Sequence, residues 1–150
     1  MRKKVVLIAV AATLASVTIL AGPASAGRPG TGTIREAELT GAEVEPSPGD
    51  PDGTGMARMI FYPQKNKICY RVTVSGIQTA TKAHLHMGDT GEEGGMVKLN
   101  LLPPRNSARE CVRGLGERFI RKIARNSSGY YVDVHNNDFP NGAVRGQLSN

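Results

Sequence analysis

The chain has 150 residues, a formal net charge of +6 and only 5% aromatic residues with no Trp. Three of its 19 basic residues, Arg2, Lys3 and Lys4, belong to an N-terminal leader, so 16 remain against 13 acidic residues and the net charge of the rest is +3. That length suits one domain, and with no Lys/Arg run interleaved with aromatics, a nucleic-acid partner is not expected.

Residues 1–26 show the three parts of a secretory signal peptide: basic Met1–Lys4, apolar Val5–Leu20 and the small-x-small site Ala24-Ser25-Ala26. The mature chain is expected to start at Gly27 and to be secreted, with no membrane span after cleavage. Export places Cys69 and Cys111 in an oxidising compartment, where a pair is usually bridged. Two free thiols or a shared metal are the alternatives, the second disfavoured by the absence of a Cys-x-x-Cys spacing.

Residues 27–33 read as a Gly- and Pro-rich lead-in, and residues 34–150 as one domain. A first strand is expected over 34–44, interrupted at Gly41. Residues 45–53 carry three prolines and form a surface loop, because proline cannot continue a sheet ladder. Residues 56–62 are apolar on both faces and suit a doubly covered strand. After a turn at Pro63–Asn66, Ile68, Tyr70, Val72 and Val74 alternate inward along the next strand. The strand Ala83–Met87 follows, then an oxygen-rich loop, 88–95. Val97, Leu99 and Leu101 line another strand, stopped by Pro103-Pro104, and Cys111 lies in a short run from Arg109 to Arg113. Leu115, Phe119 and Ile123 recur at helical spacing, with Ile120 and Ala124 widening a stripe that should pack on a sheet. Asn126-Ser127-Ser128 matches an N-glycosylation acceptor, relevant only in a host that glycosylates. The final strands are Tyr130–His135 and Ala143–Leu148, joined through Asn141-Gly142, which suits a tight turn. Short strands, one short helix and Gly/Pro-rich turns predict an all-β sandwich or barrel.

All three histidines fall in two of these strands. Strand side chains alternate between faces, so His84 and His86 share one face, and His135 lies with Tyr131 and Asp133 opposite the apolar Tyr130, Val132 and Val134. In one sheet the three imidazoles can share an ion, and three of them suit zinc or copper. Asp89, just beyond the histidine strand, is the expected additional metal residue, with Asp133 or Asp138 as alternatives. Arg145 and Asp133 also admit a plain reading in which each is ion-paired within the fold. Asp50 and Asp52 in the first loop, with Glu92 and Glu93 in the second, mark candidate binding loops.

The ordered segments Glu38–Val44, Gly53–Ala57, Cys69–Gly76, Ala83–His86, Tyr130–His135 and Phe139–Leu148 together resemble the CHRD domain, over nearly all of the mature chain. The resemblance implies an extracytoplasmic immunoglobulin-like sandwich or barrel, and it names no reaction. His84-x-His86 followed by Gly88-Asp89 is also similar to the metal-binding strand of Cu/Zn superoxide dismutases, another Greek-key sandwich, whose dinuclear centre uses more than the three histidines present here. Two functions follow as expectations. The first is a secreted, monomeric, non-catalytic module that binds an extracellular protein, glycan or cell-envelope component. The second is a copper- or zinc-binding protein built on His84, His86 and His135, with redox activity if a coordination position stays open.

Overall fold

This computed structural model describes residues 30–101 and 105–149, and for residues 98–100 the backbone alone. The signal peptide, the first three residues of the lead-in, the Leu99 side chain and the Pro103-Pro104 stop lie outside the described residues.

Among the described residues are eight strands: β1 Thr33–Thr40, β2 Thr54–Tyr62, β3 Lys67–Ser75, β4 Lys82–Met87, β5 Gly95–Asn100, β6 Ser107–Arg113, β7 Tyr130–His135 and β8 Val144–Gln147. They form one antiparallel sheet in the order β5-β4-β7-β8-β1-β2-β3-β6, and the one α-helix among the described residues is α1 at Glu117–Arg125. The sheet curls into a half-barrel around one apolar core to which both halves contribute, Leu39, Met59, Phe61 and Val72 from one and Leu85, Val132 and Val134 from the other. The expected all-β sandwich-or-barrel class is therefore realised as a single curled sheet.

Alternation sets the faces. On β3, Ile68, Tyr70, Val72 and Val74 are buried as their spacing requires. β2 departs from expectation: Ala57, Met59 and Phe61 are buried, but Met56 is 45% exposed. Its outer face carries Arg58 into solvent, so only one side of the strand is covered. β7 is the reverse case, buried along its whole length, because loops close over the face opposite the core.

The helix begins at Glu117, two residues later than the apolar stripe suggests. Gly114 and Gly116 take φ of 82° and 89°, in the left-handed region that a right-handed helix cannot traverse. Ile120, Ile123 and Ala124 are buried against the sheet, as expected of an amphipathic stripe. Arg35 on β1 donates to the Ala124 carbonyl at 2.9 Å, satisfying one of the last-turn acceptors of the helix.

Cys69 and Cys111 are directly opposed on β3 and β6 and form a disulfide, fastening the edge strand β6 to its neighbour. No described helix is long and apolar enough to cross a membrane.

Candidate metal centre

The histidines are placed by the register of β4 against β7. His84 opposes Asp133, His86 opposes Tyr131 and Lys82 opposes His135. His86 and His135 each sit two residues from that central pair, on the same strand face, so all four side chains converge outside the core while Ala83, Leu85, Val132 and Val134 fill it.

The convergence is tight. His84 Nδ1 lies 3.1 Å from His135 Nε2 and 3.5 Å from Asp133 Oδ1. Asp133 Oδ2 lies 3.1 Å from His86 Nε2 and 3.2 Å from His135 Nε2. One ligand atom from each of His84, His86, Asp133 and His135 falls within 4.8 Å of all the others.

Backbone carbonyls fix two of the rings. His86 Nδ1 donates to Gly94 O at 3.0 Å, and His135 Nδ1 donates to Pro140 O at 3.0 Å. A carbonyl oxygen only accepts, so in the neutral rings the proton is on Nδ1 and the Nε2 lone pairs point at the Asp133 carboxylate. Lone pairs facing a carboxylate at hydrogen-bond distance repel unless a proton or a metal ion stands between them. Consistent with this, His86 Nε2 and Asp133 Oδ1 are buried without a hydrogen-bond partner.

Each carbonyl is positioned by its own turn. Asn136 Oδ1 accepts from Phe139 N at 2.7 Å, and Gly142 N donates to Phe139 O at 3.2 Å, folding the chain so that Pro140 returns to His135. On the other side the Tyr131 hydroxyl accepts from Gly94 N at 3.0 Å. Gly94 must lack a side chain, since a Cβ there would lie 1.9 Å from the Met87 carbonyl oxygen. The His86 ring stacks on Tyr131 at 4.9 Å and 9°, and the Arg145 guanidinium lies 3.6 Å over the same ring.

Charge and burial oppose each other here. Burial alone would raise the Asp133 carboxyl, but the imidazoles of His135, His84 and His86 around it, which can take up positive charge, outweigh burial and hold the group well below the usual carboxylate range. Burial would lower His86, yet Asp133 and the Gly94 carbonyl outweigh it and raise the imidazole. The cluster lies at the wall of a cleft of about 360 Å³ that Glu45, Pro46, Glu93 and Arg145 also line.

The expected residues are distributed unevenly. His84, His86 and His135 come together; Asp89 does not join them, and Asp133 takes its place. Gly88 ends the histidine strand, so Asp89 turns away and its carbonyl accepts from Arg145 at 3.0 Å. Asp138 is held by Gln78 Nε2 at 2.5 Å. The plain pairing reading holds for Asp133, which is paired within the fold with His84, His86 and His135, whereas Arg145, opposite it on β8, covers the Tyr131 ring instead of meeting a carboxylate. Of the loop carboxylates, Glu93 reaches the cleft and Glu92 is exposed. Asp50 caps its own loop by accepting from Asp52 N at 3.1 Å, apart from the cluster. Asp133 was legible as a ligand: Asp133-x-His135 has the same two-residue period as His84-x-His86.

Taken together, the half-barrel and the four-residue set on adjacent strands define an all-β module with a pocketed polar site, the one cluster of this kind among the described residues. The family model for the CHRD domain matches residues 35–148, and the chain belongs to that family. No match is found among the curated proteins or the solved structures.

Proposed function

We propose that this chain is a secreted CHRD module whose chemical feature is a single zinc or copper ion held by His84, His86, His135 and Asp133. One observation carries the reading. Ligand atoms at the bond lengths of tetrahedral zinc stand about 3.3 Å apart; one ligand atom from each of the four residues lies within 4.8 Å of the others, and His135 Nε2 lies 3.1 Å from His84 Nδ1 and 3.2 Å from Asp133 Oδ2, so a small contraction around an ion closes the shell. The carbonyl bonds to Nδ1 of His86 and His135 support it further, because ligating imidazoles commonly donate their second N–H to such an acceptor.

Four protein ligands fill a tetrahedral shell and leave no place for a substrate, the form of a structural or storage site. The module is therefore read as binding its ion without catalysis. Residues 1–26 and the Cys69–Cys111 bridge support export to an oxidising compartment.

The test is metal content by elemental analysis of untagged protein, followed by calorimetric titration of zinc and copper into the parent, His84→Ala and Asp133→Asn proteins. About one ion per chain, lost in both variants while their circular dichroism is unchanged, is the expected result. Parental affinity in either folded variant would contradict the ligand set.

A further inference from the structure

The outer face of β2, β3 and β6 places like charges side by side. Arg58, Arg71 and Arg109 are successive cross-strand partners, and Lys67 faces Arg113. β3 reads Lys67-Ile68-Cys69-Tyr70-Arg71 and β6 reads Arg109-Glu110-Cys111-Val112-Arg113, so a cation flanks each cysteine two residues away on the same strand face. The disulfide thus sits at the centre of a rectangle of cations, about 5 Å across the strands and about 13 Å along them.

Like charges directly opposed on neighbouring strands weaken their pairing. Little in the fold relieves this. Arg58 meets Glu36 at 2.8 Å, but among the described residues Lys67, Arg71, Arg109 and Arg113 form no ion pair. Lys67 and Lys65 lie 4.5 and 5.4 Å over the Tyr62 ring. The intervening acid, Glu110, is on the opposite strand face and accepts from the Tyr70 hydroxyl at 3.2 Å. At the Arg58, Arg71 and Arg109 end of this face lies a groove of about 340 Å³, which Tyr62, Cys69 and Glu110 also line, while Lys67 and Arg113 stand outside it.

A covalent bond thus holds mutually repelling cations in register, and a ligand of opposite charge would relieve the repulsion. One oxyanion spans the short side of the rectangle but not the long side, so a ligand that engages all four cations carries repeated charges. Two guanidinium forks on directly opposed residues of adjacent strands suit a tetrahedral group, which offers oxygens to both, better than a planar carboxylate, which one fork saturates. We propose that this face binds a linear polyanion whose repeating group is phosphate or sulfate. The proposal does not rest on the metal reading, since the histidines lie on β4 and β7 in the other half of the sheet.

The test is fluorescence polarisation of the oxidised protein with labelled long-chain polyphosphate and with labelled heparin, using inorganic phosphate, polyglutamate and duplex DNA as competitors. At least one of the two polymers should bind, the tighter one naming the repeating group, and inorganic phosphate at the same total charge should not displace it. Arg71→Gln/Arg109→Gln should weaken binding roughly 60-fold at 50 mM salt and lower the slope of log K against log salt by about 1.4. Lys82→Gln, on β4, should change neither. The free double variant should melt at or above the parent temperature, because a repulsion has been removed. No binding of either polymer, equal competition by polyglutamate, or tighter binding of duplex DNA would overturn the proposal. So would parental affinity in the double variant, or its melting several degrees lower.

Discussion

Replacing both bridged cysteines, Cys69→Ala/Cys111→Ala, should cost stability without touching the histidine cluster. The bridge closes a sequence separation of 42 residues, for which chain entropy gives about 4 kcal/mol. With a urea m-value of about 1.5 kcal/mol/M, the unfolding midpoint should fall by 2 to 3 M. The loss should also depend on salt. Without the bridge, nothing covalent opposes the repulsion of Arg71 from Arg109 and of Lys67 from Arg113, so raising NaCl from about 0.05 to about 1 M should recover roughly 1 kcal/mol of it. Because β6 is an edge strand, its amides should be the first to lose hydrogen-exchange protection. The assay is urea unfolding of parent and variant at both salt concentrations, with zinc affinity measured alongside. Equal midpoints would refute the entropic argument. A salt-independent difference would refute the claim that the bridge holds opposed cations, and a parallel loss of zinc binding would show that the two halves of the sheet are coupled.

Three further outcomes can be checked in parallel. Gly94→Ala should displace the carbonyl that orients His86 and lower metal affinity 10–100-fold, as read by competition with a chelating dye; unchanged affinity would mean the carbonyl does not position the ligand. Leu85→Ala, at a fully buried core position on the histidine strand, should destabilise by about 2–5 kcal/mol in chemical denaturation, and a loss below 1 kcal/mol would mean that the β4–β7 core is looser than described. Burial, reinforced by the Glu110 charge, pushes the Tyr70 phenol up to about 12, so its contribution to stability is complete below the unfolded value near 10 and fades as pH rises toward 12. Ultraviolet titration should lose its high-pH tyrosine step in Tyr70→Phe, and an unchanged profile would place that phenol in water.

The sequence showed most clearly what strand periodicity governs. Alternation on β3 and on β7, the helix stripe and the sharing of one face by His84 and His86 all depend on neighbours within a single strand, and all appear in the structure. What depended on pairing between distant strands was less visible. Met56 and Ile60 look like core residues until β2 is seen to turn that face, with Arg58, to solvent. Asp89 is close to His86 in sequence but turns away after Gly88; Asp133 shares a strand face with His135 by its spacing, and only the β4–β7 register, which composition does not reveal, sets that pair against His84 and His86. The same register logic governs the cationic rectangle. Each strand shows a Cys between two basic residues, but the opposition of like charges exists only once Cys69 is set against Cys111.

The measurement that tests the central claim most directly is X-ray absorption on the zinc-loaded protein. A first shell of three nitrogens and one oxygen at about 2.0–2.2 Å, with the multiple-scattering signature of three imidazoles that falls to two in His84→Ala, is the predicted result. A shell of water oxygens, or a spectrum unchanged in His84→Ala, would contradict the four-residue site.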